Sequence, residues 1–385
     1  MSTRKLGILG FGTVGSGVYE SLEKERKRVE TLAGFFTIPV VVVKDASKTR
    51  TTGPETLVTD RLEALFEAGV DTVVEAVTDA EEAYPAVRKL LQKGISVISA
   101  NKELIARHGE ELHLLAAGSG SRLFYEAAVA GGIPILSSIR HTLKTNRILR
   151  VEGIVNGTSN FILTKMREEG TAFEAALEEA TALGYAEAVP DKDIDGWDAW
   201  FKTTILSFWI NGAGPEWTEE RPQGIRGMDV RDLHLAEKLG GRIKHVASLE
   251  GTKAFVGPKL VLKDHALYGV EDVNNGVYVE ASLSGPLLFQ GPGAGKFPTA
   301  GAVIEDVINH WTNTAEEEPP FTESAPSEEE PFPYWFITGS AISDELEPIS
   351  RIVESDGKYG AVVRRRPEGK ALAVLGCPEE VLQPV

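Results

Sequence analysis

The sequence predicts an α/β protein that begins with a doubly wound parallel sheet. In its first third, unbroken apolar runs (6–9, 39–43, 71–77, 96–100 and 123–127) alternate with segments of helical periodicity (14–22, 57–68, 80–93 and 103–117). Continuous apolar strands separated by helices are typical of βαβ units whose sheet is covered on both faces. Right-handed crossovers then favour the doubly wound arrangement.

After residue 133 the pattern changes to that of an α+β domain. We predict helices over 158–170, 172–183 and 194–210, and strands over 241–249, 255–261 and 276–283. A glycine cluster at 291–295 then leads into an apolar helix near 299–311, which we expect to complete the first domain. The predicted domains are therefore 1–133, completed by 291–311, and 134–290.

The end of the chain divides into a linker and a small structured segment. Residues 312–333 are rich in Glu and Pro, so we expect a disordered or extended linker. Strands are predicted at 334–338, 360–365 and 370–375, with a helix at 345–355, so that 334–385 forms a short βαββ segment.

Composition excludes several classes of function. Forty Lys and Arg against 57 Asp and Glu give a net charge of −17, which argues against nucleic-acid partners and anionic membrane surfaces. One cysteine, Cys377, excludes an intrachain disulfide and a cysteine-rich zinc site. We see no targeting segment before the first strand and no apolar run long enough for a bilayer. These features predict a soluble, cytoplasmic protein.

A glycine-rich turn after the first strand predicts a dinucleotide site. In Gly10-Phe-Gly-Thr-Val-Gly15, the first glycine permits the tight turn, the second admits the pyrophosphate and the third allows close packing of helix on strand. Helix N–H groups then face the phosphates. At the end of the second strand, Asp45 suits the ribose of NAD, whereas Lys44 and Lys48 suit a 2′-phosphate. We favour NADP and leave NAD open.

Two lysines stand where chemistry is expected. Lys102 follows a predicted strand and starts a helix, at the carboxyl edge where ligands bind; the alternative is a surface lysine poorly placed against the helix dipole. Asp198 and Lys202 lie four apart on one helix face, either as a surface ion pair or as a buried pair. Because aromatic and aliphatic residues cover most of that helix, we favour a buried lysine suited to proton transfer, beside carboxylates that could grip an ammonium group.

The segment 126–134 ends a strand with one carboxylate and a glycine turn. Its carbonyl oxygens, together with Glu126, could ligate a hard monovalent cation; a turn between domains is the alternative. The tryptophans between 197 and 217 are interpreted as core and interface, and the histidines show no metal-binding spacing.

Taken together, these segments resemble the homoserine dehydrogenase family over about Lys5–Trp311. The resemblance rests on six stretches: 10–15, 100–103, 126–134, 153–163, 184–202 and 293–300, of which Asn156-Gly-Thr-Ser-Asn160 and the Asp198/Lys202 pair are the most specific. It implies NAD(P)-dependent interconversion of L-homoserine and L-aspartate 4-semialdehyde in threonine and methionine synthesis. It also implies a homodimer formed through the second domain.

The resemblance assigns roles to individual residues. Lys202 matches the catalytic lysine, and Lys102 a second active-site lysine that also touches the cofactor. Glu187 and Asp198 match acids that bind the substrate, and Asp193 matches an acid that supports them. The cofactor contacts are Gly10, Phe11, Gly12, Thr13, Val14, Gly15, Lys44, Thr78, Lys102 and Gly293. The sodium site corresponds to Glu126, Val129, Gly131 and Ile133.

The sequence departs from the family pattern in three places. Val189 stands where an acidic residue usually precedes Pro190, and the strand end 75–78 lacks the usual glycine turn. The tail 334–385 resembles a degenerate ACT domain without the usual turn, so we do not expect threonine feedback. An acylating aldehyde dehydrogenase is excluded because Cys377 lies past the linker. A non-catalytic NAD(P)-binding redox sensor is the remaining alternative, disfavoured by the joint presence of Lys102, Lys202, Glu187 and Asp198.

Overall fold

The computed structural model describes residues 3–187, 189–312 and 333–377. The chain divides into two compact units. Unit 1 contains Met1–Thr142 and Pro292–Pro320, and unit 2 contains Leu143–Gly291 and Phe321–Val385. Most of the expected acidic linker lies outside the described residues. No helix in the described ranges combines the length and apolarity needed to cross a membrane.

The regular elements are numbered in chain order. The strands are β1 Arg4–Leu9, β2 Phe36–Val42, β3 Leu57–Thr59, β4 Thr72–Glu75, β5 Ser96–Ser99, β6 Leu123–Phe124, β7 Ile148–Ile154, β8 Glu216–Trp217, β9 Gly241–Glu250, β10 Lys253–Leu262, β11 Asn274–Ala281, β12 Gly285–Pro292, β13 Trp335–Gly339, β14 Val353–Ser355, β15 Lys358–Val363 and β16 Ala371–Leu375. The helices are α1 Thr13–Lys24, α2 Arg26–Ala33, α3 Glu63–Glu67, α4 Ala80–Gln92, α5 Lys102–Ser119, α6 Ile135–Ser137, α7 Gly157–Glu169, α8 Phe173–Ala182, α9 Asp191–Ile194, α10 Trp197–Asn211, α11 Val230–Lys238 and α12 Lys296–Thr312.

Unit 1 contains the predicted doubly wound sheet. Its six parallel strands have the order β3-β2-β1-β4-β5-β6, which is the Rossmann order. The C-terminal helix α12 belongs to this unit, where Ala300, Val303 and Val307 join the core around Leu6 and Ile8. The helix predicted over 57–68 is partly wrong. Its first residues form β3, which pairs with β2 at the edge of the sheet, because β-branched residues at this position favour a strand. Only α3 remains helical.

Unit 2 is built on a mixed sheet with the order β12-β11-β7-β9-β10-β16-β13-β15-β14, and β8 pairs with β10 beside it. Helices α7, α8 and α11 contribute to a core that also contains Ile243, Leu260 and Leu262. The helix predicted over 194–210 is observed as α10 and begins three residues later, because Gly196 adopts φ +89° and separates it from the short helix α9. The strands β7 and β12 and the helix α11 were not predicted.

The C-terminal segment extends the sheet of unit 2. Strand β16 pairs with β10 in parallel, and Phe336, Val362 and Leu372 enter the core of unit 2. The helix predicted over 345–355 is wrong: the segment has a 3₁₀ turn at Asp344–Leu346 and then β14. Pro348 explains the difference, because it disfavours the helical conformation at Glu347, whose φ is +48°. The segment is therefore not the expected βαββ.

Candidate functional site

In the glycine turn after β1, the backbone requires two of the three glycines, and the third faces open space. Gly10 has φ +91°, and a Cβ there would lie 2.6 Å from the carbonyl oxygen of Ala76. A Cβ at Gly15 would collide with the carbonyl of Gly10, whereas one at Gly12 meets nothing within 4 Å. Helix α1 begins at Thr13 with no side-chain cap at Gly12, so its first N–H groups are available to an anion.

The charged residues predicted to contact the adenosine half of a dinucleotide follow the end of β2. Lys44 is exposed and its Nζ lies 2.6 Å from Oε1 of Glu82, while Lys48 lies 3.9 Å from Asp45. The Asp45 carboxylate accepts bonds from the backbone N–H and hydroxyl of Ser47, which lower the pKa of Asp45. Arg50, which sequence reasoning missed, donates to the carbonyls of Asp45 and Lys48. Lys48 and Arg50 therefore lie beside Asp45, while Lys44 is paired with Glu82.

Lys102 is the first residue of α5, at the carboxyl edge of β5. The preceding Asn101 caps this helix: its Oδ1 accepts the N–H of Leu104 at 3.0 Å, and its Nδ2 donates to the carbonyl of Val77. Thr78 lies exposed in the connection between β4 and α4. The structure thus places Lys102 and Thr78 at the edge of the same sheet.

The turn after β6 has the features of a cation site. Glu126 is buried, and its two carboxylate oxygens accept the N–H groups of Leu136 at 2.9 Å and Ser137 at 2.6 Å; burial raises its pKa. Within the described chain, the carbonyls of Val129 and Gly131 accept no hydrogen bond, while that of Ile133 accepts the N–H of Ile135. Oxygen groups thus remain available for a hard cation.

Gly293 lies against this turn. A Cβ at Gly131 would collide with the carbonyl of Gly293, so the two glycines allow a close approach of two backbone segments of unit 1. Gly131 also has φ +57°, which favours glycine at this position. This packing brings the predicted cofactor glycine and the predicted sodium turn together.

In unit 2, Lys202 is buried, with 7% of its surface exposed, on α10. Its Nζ donates to Oδ2 of Asp198 at 2.7 Å and to the carbonyl of Val155 at 2.5 Å. Asp198 is 2% exposed, so the alternative of a surface ion pair is excluded. Charges removed from water in this way need partners, and here one is Asp198 on the same helix and another is the carbonyl of Val155, just after β7.

Asn156 organises the acids around this lysine. Its Nδ2 donates to Oδ1 of Asp193 at 2.8 Å and to Oδ2 of Asp198 at 2.9 Å. Its Oδ1 accepts the N–H of Ser159 and so caps α7. The sequence placed Asn156 in a specific motif without a role. An Asn directly before a predicted helix was the signal for the cap, but its two acidic partners lie 37 and 42 residues away.

The turn between α9 and α10 is held by a residue that the sequence did not indicate. His245 on β9 is buried, and its Nε2 lies 3.0 Å from the carbonyl of Gln223; burial lowers its pKa to about 4. A Cβ at Gly196 would lie 3.2 Å from both that carbonyl and the His245 ring. A neutral imidazole therefore packs under the turn that joins the segments of Asp193 and Asp198.

Glu187 is not joined to the Lys202 group. It is exposed after α8, and it makes no hydrogen bond or ion pair within the described residues. Val189 is exposed as well, at 73%. The structure thus brings together Lys202, Asp198 and Asp193, adds Asn156 and Val155, and leaves Glu187 at the surface.

The two units carry different chemical groups. Unit 1 has a glycine-rich turn of the kind that binds dinucleotides, and unit 2 has a buried lysine with a carboxylate and a carbonyl at hydrogen-bond distance. A lysine in such surroundings suits general acid–base catalysis on a hydroxyl or carbonyl group. The nearby carboxylates of Asp198 and Asp193 suit the binding of a ligand's ammonium group.

Comparisons with known proteins agree with this arrangement. The family model for homoserine dehydrogenase matches residues 134–308, and that for the homoserine dehydrogenase NAD-binding domain matches 10–126. A homoserine dehydrogenase of Neisseria gonorrhoeae is 40% identical over 80% of this chain and 72% of its own length, and one of Pseudomonas aeruginosa is 37% identical over 80% and 72%.

Solved structures lead to the same family. A homoserine dehydrogenase from Thiobacillus denitrificans matches 94% of this chain and 91% of its own, at 31% identity and TM-score 0.81. A hyperthermophilic archaeal homoserine dehydrogenase in complex with NADPH matches 82% and 99%, at 29% identity and TM-score 0.69. These findings give no support to the non-catalytic alternative.

Proposed function

The chain belongs to the homoserine dehydrogenase family of NAD(P)-dependent oxidoreductases, and on that premise we propose that Lys202 transfers the proton in the reaction. L-Homoserine loses the proton of its hydroxyl group and a hydride from the carbon that bears this group, giving L-aspartate 4-semialdehyde; the nicotinamide, when bound, accepts or donates the hydride. In the direction of reduction, the Lys202 ammonium donates its proton to the aldehyde oxygen as the carbon gains the hydride.

One observation carries this proposal: Nζ of Lys202 is buried between Oδ2 of Asp198 and the carbonyl of Val155. Both partners are acceptors, so they hold the ammonium in a fixed position beside the carboxylates of the site. Removal of water from this position strengthens the interaction with charge that develops on the aldehyde oxygen.

We propose that the carboxylates around Asn156 hold the substrate. Asp198 and Asp193 provide negative charge for the ammonium group of the amino acid, and the Asn156 amide keeps the two acids apart at a fixed spacing. Glu187 is proposed as a further contact for that ammonium group, from its exposed position next to Ala186. The test is the KM for homoserine, which should rise about tenfold or more in Glu187→Gln if a charged contact is lost.

We propose that the cofactor is held by the glycine loop, residues 10–15, with Thr78, Lys102 and Gly293, and that NADP is preferred. The Asp45 carboxylate is bonded within its own loop, and Lys44, Lys48 and Arg50 supply positive charge for a 2′-phosphate. A lower KM for NADP⁺ than for NAD⁺ is expected, with Lys44→Ala raising the former selectively. A much lower KM for NAD⁺ would contradict this preference.

A sodium ion is proposed at Glu126, Val129, Gly131 and Ile133. The buried carboxylate and the carbonyls of Val129 and Gly131 fit an ion that prefers oxygen ligands, and such an ion would offset the burial of the charge on Glu126. Its role would be to stabilise the turn that packs against Gly293. The melting temperature should rise with NaCl relative to choline chloride, and Glu126→Gln should abolish that difference.

We further propose a cytoplasmic homodimer that acts in threonine and methionine synthesis. The family resemblance and the acidic composition support this proposal. Light scattering on the purified protein tests the oligomeric state, with a mass of two chains expected. The activity should also be unchanged in millimolar threonine, because the C-terminal segment is part of the unit 2 sheet.

The function itself is tested with purified protein, L-homoserine and each cofactor in turn, followed at the nicotinamide absorbance band. We expect reduction of the cofactor that depends on homoserine. A protein that binds the cofactor without turnover would favour the redox-sensor alternative.

A further inference from the structure

A buried carboxyl in unit 1 plays no part in the chemistry described above. Glu75 is the last residue of β4 and has no exposed surface. Its Oε1 accepts the N–H of Val77 at 2.7 Å, and its Oε2 accepts the hydroxyl of Ser99 at 2.5 Å. Burial raises the pKa of Glu75 to about 7, despite these bonds. A fully buried acid lowers the free energy of unfolding at neutral pH, because its charged form is removed from water. Its presence therefore needs a physical reason.

The bonds of Glu75 connect two segments of chain that line the sheet edge. Ser99 Oγ, besides donating to Glu75, accepts the N–H of Asn101 at 3.0 Å. Asn101 in turn donates from Nδ2 to the carbonyl of Val77 at 3.0 Å and caps α5, whose first residue is Lys102. Glu75, Ser99, Asn101 and Val77 thus form one closed hydrogen-bonded network.

The same network reaches the glycine loop. Ala76, next to Glu75, is the residue whose carbonyl oxygen a Cβ at Gly10 would approach to 2.6 Å, and the N of Val77 would be 2.9 Å from that Cβ. The position of residues 76–77 therefore sets how closely the loop after β1 can pack. A shift of this segment would move the turn at Gly10 as well.

The network lies on one half of the doubly wound sheet. Strands β1, β2 and β3 form one mononucleotide-binding half, and β4, β5 and β6 form the other. The charges at Lys44, Lys48 and Arg50 follow β2, so the adenosine half of a dinucleotide belongs there. The nicotinamide half then belongs at the carboxyl ends of β4 and β5, where Glu75 and Ser99 end their strands.

We propose that Glu75 is a positioning residue for the nicotinamide half of the cofactor, which it serves by holding residues 76–78 and Asn101–Lys102 at a fixed spacing. The proposal rests on the proposed cofactor site. The groups that face Glu75 are the Ser99 hydroxyl, the Val77 N–H and the Asn101 amide, all uncharged. An apolar residue would fill the position at less cost, but it would leave the Val77 N–H and the Ser99 hydroxyl without an acceptor.

The test uses three variants of the full chain. Glu75→Ala removes both acceptors, and Glu75→Gln keeps one acceptor for Val77 and can donate to Ser99 Oγ. Val73→Ala is the matched control, because Val73 is a fully buried residue of the same strand. The KM for the dinucleotide and the KM for homoserine are measured for each, along with the melting temperature.

We expect Glu75→Ala to raise the KM for the dinucleotide about tenfold, while the KM for homoserine changes less than about twofold. Glu75→Gln should restore the dinucleotide KM to within about threefold of the unchanged protein and should melt no lower than it, since the variant has no buried charge. Equal dinucleotide KM values for Glu75→Ala and Val73→Ala, or a failure of Glu75→Gln to rescue, would overturn the proposal.

A second measurement separates this proposal from the proposed function. Affinity for NADPH, titrated through its fluorescence, does not require turnover of homoserine. If the unchanged protein fails to oxidise homoserine, the proposed function fails, and the NADPH titrations of the same variants still decide the role of Glu75. Should Glu75→Ala not fold, Ser99→Ala removes two bonds of the network, to Glu75 and to Asn101, and is expected to weaken NADPH binding about threefold or more; unchanged binding would overturn the proposal.

Discussion

Lys202 and Lys259 are both buried lysines of unit 2, yet their surroundings differ. Lys259 has no exposed surface and lies in the middle of β10, where its Nζ contacts the hydroxyl of Ser248; burial lowers its pKa to about 7. Lys202 lies on a helix, and its Nζ contacts Asp198 and a carbonyl just beyond the end of β7. Both lysines are therefore buried, but the groups that surround them differ.

The difference separates the lysine that we propose as the proton donor from one that we interpret as structural. Around Lys202, polar groups from three elements meet: the end of β7, the segment of Asp193 and α10 itself. On the Lys259 side, the buried acid Glu152, whose charge raises the pKa of Lys259 against the effect of burial, is bonded to His265 at 2.8 Å. We infer that polar groups converging at a strand end, rather than burial, distinguish the reactive lysine.

Among changes to the groups around the two lysines, the largest effect is expected at Asp198. Asp198→Asn removes the countercharge of a buried ammonium and should lower kcat by about 100-fold or more, because the proton donor loses both its position and its charge balance. The measurement is kcat for homoserine oxidation at saturating cofactor. Glu152→Gln is the matched control on the Lys259 side.

The control should leave kcat within about twofold while lowering the melting temperature, since Glu152 is buried and charged. A loss of kcat in Glu152→Gln as large as that in Asp198→Asn would remove the distinction between the two lysines.

A second prediction concerns the C-terminal segment, which packs on the same unit. Phe336 is 1% exposed in the core of unit 2, so Phe336→Ala should cost about 3–5 kcal/mol in the free energy of unfolding and leave kcat of the folded enzyme unchanged. Denaturant titration provides the measurement. Tyr359→Ala, at a residue 37% exposed on β15, is the control and should cost much less. A stable Phe336→Ala with altered kcat would instead indicate a regulatory segment.

The smallest effect is the pH dependence that Lys259 confers. Its pKa is about 7 in the folded chain, far below the usual lysine value, so between about pH 7 and 10 the unfolded chain binds a proton that the folded chain does not. Stability should therefore rise with pH over this range, relative to Lys259→Met, by up to about 1.4 kcal/mol per pH unit. Urea titrations of both proteins at pH 7 and 9 measure it. A constant difference would show that Lys259 keeps its proton.

Sequence patterns predicted the parts of the molecule that depend on local chemistry. The roles of Gly10 and Gly15 follow from backbone geometry alone, and the Asp198/Lys202 pair follows from helical spacing. The helix over 345–355 was wrong because sheet pairing and Pro348 outweighed its helical pattern. The roles of Asn156, His245 and Glu75 were missed because each depends on partners that only the folded chain brings together.

The most direct test of the account is Lys202→Ala, assayed for homoserine oxidation and for NADPH binding on the same preparation. The account predicts a loss of turnover of about 1,000-fold or more with the affinity for NADPH unchanged, because Lys202 handles the proton and takes no part in holding the nucleotide loop. Turnover within a few-fold of the unchanged enzyme would contradict it.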